Sequence, residues 1–330
     1  ASPMTARLEP GTRDGWTVYA LESARLRLEL APELGGKLVS LRSAPDGREW
    51  LWRNPRVAQR RPHPGGSYVR DFDTGGWDEL FPTIGRSEAP PGVWAGRELT
   101  DHGELWCRPW QVARAEEAGG EAIVALHLDD PELPARVERE LRLAEDGGFT
   151  LRYRLQNRCE EAVPYVWCSH PLLRVERGMR LRLPEGTRWR CEASKGLREL
   201  PPGAAVPWPR LQTADGAEVD LRAPADGPLG WAAKLFTEAL PAGWVEWCAP
   251  AGAARLRLEF DPAALPHLGL WLNLRGWSGD DREPLLNVGV EPGTSPFDSL
   301  YTAHASGTAR VLEPGAEVRW ELRGEVRAPD

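Results

Sequence analysis

The chain has 330 residues, 41% of them hydrophobic and 27% charged, and its 41 basic and 49 acidic side chains give a net charge of −8. That balance, without a long basic run, argues against a nucleic-acid partner, and no stretch approaches the roughly 18 apolar residues of a membrane span. Five Cys at wide spacings with no Cys-x-x-Cys pair argue against a zinc site or a disulfide framework and predict free thiols in a reducing compartment.

Period-two alternation begins at Arg25-Leu26-Arg27-Leu28-Glu29-Leu30, with three Leu on one face and charges on the other, and predicts a half-buried strand. The polar, proline-broken stretch 53–67 reads as a surface loop. The run Gly76-Trp77-Asp78-Glu79-Leu80-Phe81-Pro82-Thr83 follows, a loop or strand end in which two carboxylates stand beside an indole. Some twenty residues on, Asp101-His102-Gly103-Glu104-Leu105-Trp106 repeats that mixture and adds an imidazole. A flat aromatic face beside hydrogen-bond acceptors suits a sugar ring, with C–H groups on its faces and hydroxyls at its rim.

Strand patterning resumes at Arg136-Val137-Glu138-Arg139-Glu140-Leu141-Arg142-Leu143 and at Phe149-Thr150-Leu151-Arg152-Tyr153-Arg154-Leu155. It recurs at Met179-Arg180-Leu181-Arg182-Leu183, Arg255-Leu256-Arg257-Leu258-Glu259-Phe260 and Glu317-Val318-Arg319-Trp320-Glu321-Leu322. The stretch 201–209, rich in Pro and Gly, reads as a loop. Helix is scarce: one is expected over 296–304, with Ser295 as N-cap and Asp298 as the N3 partner of a capping box. Half-buried strands need a second layer, so the fold class is all-β, antiparallel sheets packed face to face. The style is the same throughout and no fixed-period repeat appears, so one domain spanning 1–330 is expected.

Of the six histidines, His127 alternates with Leu126 and Leu128, His63 lies in a proline-rich loop, and His267 and His304 have no acidic cluster beside them. These four read as structural. His170 follows the strand Val163-Pro164-Tyr165-Val166-Trp167-Cys168 and precedes Pro171, so it stands at a strand end beside Tyr165 and Trp167, in reach of a cavity mouth. Glu291 closes the apolar run Leu286-Asn287-Val288-Gly289-Val290 before Pro292-Gly293. A carboxylate there is either a general base raised by partial desolvation or a turn carboxylate satisfied by backbone N–H groups. Only three of the basic residues are Lys: Lys37, Lys195 and Lys234. No phosphate loop, dinucleotide fingerprint, nucleophile elbow or His-Glu-x-x-His is present.

The four segments Gly76–Thr83, Asp101–Trp106, Ser169-His170-Pro171-Leu172 and Val290-Glu291-Pro292, in that order and spacing, resemble the aldose 1-epimerase (galactose mutarotase-like) family, and its divergent branch more than the galactose enzymes. The resemblance covers about residues 28–303. It implies a large antiparallel β-supersandwich with an open cleft, and interconversion of the α and β anomers of a free sugar without metal or redox cofactor. By the same resemblance His170 matches the general acid, Glu291 the general base, and His102 a second His near the ring oxygen. Asp261 matches an Asp that holds sugar hydroxyls, and Trp77, Asp78 and Glu79 occupy the segment that shapes the cleft. The chain departs from the family in lacking the Asn…Arg segment that grips galactose, for which Arg70 in Val69-Arg70-Asp71 is the stand-in. The implied partner is a small-molecule sugar, in the cytoplasm, since residues 1–17 contain no apolar run behind basic residues. A carbohydrate-binding or regulatory module of the same fold without turnover is the alternative. Polysaccharide hydrolysis or lysis is a third reading, disfavoured because such enzymes usually carry a further helical domain.

Overall fold

A computed structural model describes residues 5–327 of the protein. Among these, the first large sheet has ten antiparallel strands in the spatial order Arg7–Arg13, Trp16–Glu22, Leu26–Ala31, Lys37–Ser43, Trp77–Leu80, Cys168–Leu173, Leu286–Gly293, His267–Leu274, Trp231–Thr237 and Trp189–Lys195. The second has eight, in the order Arg180–Arg182, Trp244–Cys248, Arg255–Phe260, Glu317–Arg327, Phe149–Asn157, Ala135–Leu143, Glu121–Leu128 and Gln111–Ala118. The strands expected from alternation all form, at the positions the pattern gave. Their Leu, Val and Phe residues share one core cluster with those of the opposite sheet. The outward Arg and Glu of the eight-stranded sheet pair across strands, as Arg154 does with Glu138 and Glu317.

The two faces of the ten-stranded sheet do different work. Its inner face packs on the eight-stranded sheet, with Trp77 edge-on to Phe149 at 6.2 Å. Its outer face, across the strands from Cys168–Leu173 to Trp189–Lys195, floors a cavity of about 570 Å³. Loops cover part of that face. One carries a five-residue π-helical turn, Tyr68–Phe72, whose N-terminal Ser67 accepts the Arg70 N–H. Irregular turns of this kind often mark functional sites.

The helix forms later than expected. It spans Leu300–Ala305 and is capped by Ser299, whose side chain accepts from Thr302 N–H. Ser295 cannot begin it, because the segment ahead is committed elsewhere: Asp298 C=O accepts the N–H groups of Ile84 and Gly85, at 2.9 Å each. Glu291 likewise stands inside its strand, which continues through Pro292 to Gly293. All five cysteines are free thiols, and no helix among the described residues is long and apolar enough to cross a membrane.

Candidate active site

Register brings the site together. Cys168 pairs with Gly293 and Leu172 with Gly289, which sets His170 opposite Glu291 on neighbouring strands. The next pairing sets Glu291 against Gly269, and the one after sets Trp271 against Lys234. Alternation within each strand then turns His170, Glu291, Trp271 and Lys234 into the same cavity. The two glycines are needed there. A Cβ at Gly269 would lie 2.9 Å from Glu291 Oε2, and one at Gly289 would lie 2.6 Å from Oε1. Their bare backbones make the seat over which the carboxylate lies.

Glu291 is fully buried and both its oxygens are engaged. Oε1 is 2.8 Å from His170 Nδ1, and Oε2 takes the Lys234 ammonium. Burial alone would raise its pKa, but the Lys234 charge and the contact with His170 outweigh that, holding the carboxylate down at about 2. The raised pKa expected from partial desolvation is therefore reversed, because a buried cation stands beside the group. For Lys234, too, burial opposes the charge, and the Glu291 and Asp298 carboxylates overcome it and hold the ammonium protonated well above the usual range.

His102 enters from the loop after Gly76–Thr83. Its backbone is left-handed, at φ 66°, and its ring stacks on Tyr68 with centroids 3.8 Å apart. Asp101 Oδ2 lies 3.0 Å from its Nδ1. Burial disfavours the charged imidazole, but the Asp101 charge outweighs it and raises the His102 pKa. The His102 and His170 rings are 5.0 Å apart, edge to face. Each imidazole thus has a carboxylate at Nδ1. Neither Nε2 has a hydrogen-bond partner among the described residues.

The remaining expected residues lie elsewhere. Trp77 and Glu79 face the sandwich interior. Trp77 donates its indole N–H to Ser169 Oγ at 2.7 Å. Glu79 is held by Arg139 at 3.0 Å and by Tyr153 OH at 2.8 Å. Asp78 faces the cleft side but sits one layer back, accepting Tyr68 OH at 2.8 Å and pairing with Lys37 at 3.2 Å. It holds the residue that holds His102. Arg70 is an exposed side chain paired with its neighbour Asp71, while Tyr68 and Val69 line the cleft. Asp261 lies apart from the cleft, lining a depression with Trp320 and Arg319 of the eight-stranded sheet, and caps Ala263 N–H. His102 and His170 are the histidines that line the cavity; His267 instead bonds Thr237 C=O.

The sequence reading missed the aromatic wall, Trp271 and Trp277, packed edge to face at 5.5 Å. It also missed Lys234, Asp298 and Asp73 as lining groups, while Asp101 belongs to the run Asp101–Trp106 that it singled out. One signal was present for Lys234: in a chain that uses Arg almost throughout, a lysine stands in the strand Trp-Ala-Ala-Lys-Leu-Phe-Thr. All three lysines prove to be at or behind the cleft, Lys195 at its rim and Lys37 beneath Tyr68.

Several solved structures share this fold. A galactose mutarotase-like protein from Clostridium acetobutylicum matches with a TM-score of 0.70 and 13% identity, over 98% of this chain and 99% of that one. A Synechocystis protein matches with a TM-score of 0.67 and 19% identity, over 97% of each chain. A galactose mutarotase-like protein from Lactobacillus casei matches with a TM-score of 0.62 and 15% identity, over 94% of this chain and 100% of that one. The chain therefore has the galactose mutarotase-like fold. No protein-family model matches its sequence, and no curated protein does.

Proposed function

We propose that the chain is an aldose 1-epimerase, interconverting the anomers of a free sugar in this cleft. The observation that carries the reading is the contact of His170 with Glu291 on the floor of an open cavity walled by two tryptophans. The cavity's volume suits a monosaccharide-sized ligand. Trp271 and Trp277 give a sugar an apolar surface, and the carboxylates and imidazoles give its hydroxyls partners.

Anomerisation needs a proton delivered to the ring oxygen and one removed from the anomeric hydroxyl. Glu291 is held ionised, so it keeps a proton on His170 Nδ1 and leaves Nε2 to exchange the proton of the ring oxygen. An imidazole is suited to such exchange near neutral pH. A carboxylate offers about four lone-pair sites. Two of them are used by His170 and Lys234, and Glu291 can accept the anomeric hydroxyl with another. His102, oriented by Tyr68 and Asp101, provides a second imidazole beside the first. The ring then opens, C1–C2 rotates, and closure on the other carbonyl face gives the second anomer. No step calls for a cofactor.

A panel of freshly dissolved single anomers, followed by polarimetry and by exchange NMR, tests the reading. Acceleration over the buffer rate is expected for at least one aldose. Saturation-transfer contacts to a sugar without acceleration of any anomer exchange would instead select the binding-module reading, which the missing Asn…Arg grip favours.

A further inference from the structure

Asp298 lines the same cavity as Glu291 and the two histidines. Its backbone is fixed. The carbonyl accepts Ile84 N–H, Gly85 N–H and Thr83 Oγ1, the last at 3.0 Å, and its N–H donates to Glu192 Oε1 at 3.3 Å. The side chain is 30% exposed, and its Oδ1 is a buried oxygen without a hydrogen bond, 3.9 Å from the Lys234 ammonium. The other cleft carboxylates differ. Glu291 holds two partners, Asp101 stands against His102, and Asp73 accepts Gly75 N–H. Asp298 is thus a cavity-lining carboxylate whose side chain makes no hydrogen bond among the described residues, and Lys234 stands between it and Glu291.

We infer that Asp298 is a further catalytic residue, which takes the proton of the anomeric hydroxyl and returns it on ring closure. This rests on the epimerase reading above. The O1–H bond breaks and its proton goes to Asp298. The released electron pair forms the C1=O1 carbonyl as the C1–O5 bond breaks, and O5 takes the proton from His170 Nε2. Closure on the opposite face reverses every transfer, so atoms and electrons balance without a co-reactant. Glu291 orients the hydroxyl but, clamped by the Lys234 ammonium and by His170, does not keep its proton.

The surroundings of Asp298 suit this part. Burial pushes its pKa up, the Lys234 charge opposes, and Glu192, Glu291 and Asp101 add to the rise, leaving it at about 7. A group that must be ionised to accept the proton then makes the rate climb with pH through the neutral range.

The experiment compares the wild type with Asp298→Asn and Asp298→Glu by exchange NMR, using a sugar that the wild type turns over. Asp298→Asn is expected to lose about 10²–10⁴-fold in kcat with KM little changed and the acid limb of the pH profile gone, while Asp298→Glu recovers part of the rate and shows a displaced limb. Near wild-type kcat in Asp298→Asn with the acid limb intact overturns the assignment. Should Asp298→Asn fail to fold, an undisplaced limb in Asp298→Glu overturns it equally. A wild type that accelerates no anomer exchange sinks the epimerase reading and this role with it, whereas an active wild type beside an unimpaired Asp298→Asn sinks this role alone.

Discussion

The ten-stranded sheet carries a carboxylate paired with a cation on each of its faces, and the two clusters are put to different ends. On the inner face Glu79 meets Arg139 and Tyr153. Arg139 also donates to Gly36 C=O and lies over the Trp110 ring. On the outer face Glu291 meets Lys234 and His170. Both carboxylates are buried, yet burial, partly offset by Arg139 and Tyr153, pushes Glu79 up to about 7, while Lys234 and His170 overcome burial at Glu291. Glu79 is sealed between two layers and ties the ten-stranded sheet to Arg139 and Tyr153 of the other. Glu291 stands behind His170, which lines the cavity, and holds the imidazole that the proposed function uses. Residue type and charge pairing alone therefore do not separate an interior cluster from a candidate reactive one; what separates them is which side of the pleat faces the space a ligand can enter.

The comparison can be broken most directly at the outer cluster. His170→Ala or Glu291→Gln is expected to cut anomer exchange by about 10²–10⁴-fold, with the circular dichroism of the folded chain retained. Near-normal polarimetric rates in both variants would remove the distinction between the faces. At the inner cluster, Arg139→Met leaves Glu79 without its buried counter-charge and is expected to cost about 3–5 kcal/mol in denaturant unfolding, while turnover per folded molecule stays at the wild-type level. A large loss of kcat without a loss of stability would place Arg139 in the chemistry instead.

The two clusters also predict opposite dependences of stability on pH. Glu291 has a folded pKa held below the ordinary value of 4.5, so its contribution is full above that value and fades as pH falls toward about 2. Glu79 has a folded pKa raised toward 7, so the folded state gains over the unfolded at low pH and loses that gain as pH rises through the interval from 4.5 to about 7. Denaturant midpoints of the wild type against Glu291→Gln should therefore converge on acidification. Against Glu79→Gln, the wild type should lose ground as pH rises. The same sign in both pairs would contradict the assigned environments. The smallest expected effect is that of Tyr68→Phe, which keeps the stack on His102 but loses the bond to Asp78. One net hydrogen bond of about 1 kcal/mol corresponds to a severalfold drop in kcat, and an unchanged rate would show that the Lys37–Asp78–Tyr68 chain does not position His102.

Much of the fold was legible because alternation is a local property. Leu26, Leu28 and Leu30 announce their shared face without reference to the rest of the chain. His170 and Glu291 were legible as polar groups at the ends of apolar runs, though both stand inside their strands, Cys168–Leu173 and Leu286–Gly293, whose register brings them together. The segment Trp77–Leu80 was not, because all four residues are buried. With both faces covered, the pleat gives no sign of which side is the core, and Trp77 and Glu79 were expected in the cleft that Asp78 alone approaches. Lys234 was hidden for the same reason, in a strand buried at all seven positions. Asp298 looked like a capping residue because Ser295-Pro296 imitates a helix start, and only the bonds from Ile84 and Gly85 reveal that its backbone is spent on the loop opposite.

The bare backbones at Gly269 and Gly289 carry a consequence for descent. A methyl group at either would press on the carboxylate, and also on Phe236 from Gly269 or on Trp271 from Gly289, so on the proposed reading one Gly→Ala change disturbs the seat of Glu291 and the wall beside it together. If the proposed function holds, chains of this architecture that turn sugars over are expected to keep both positions free of a side chain.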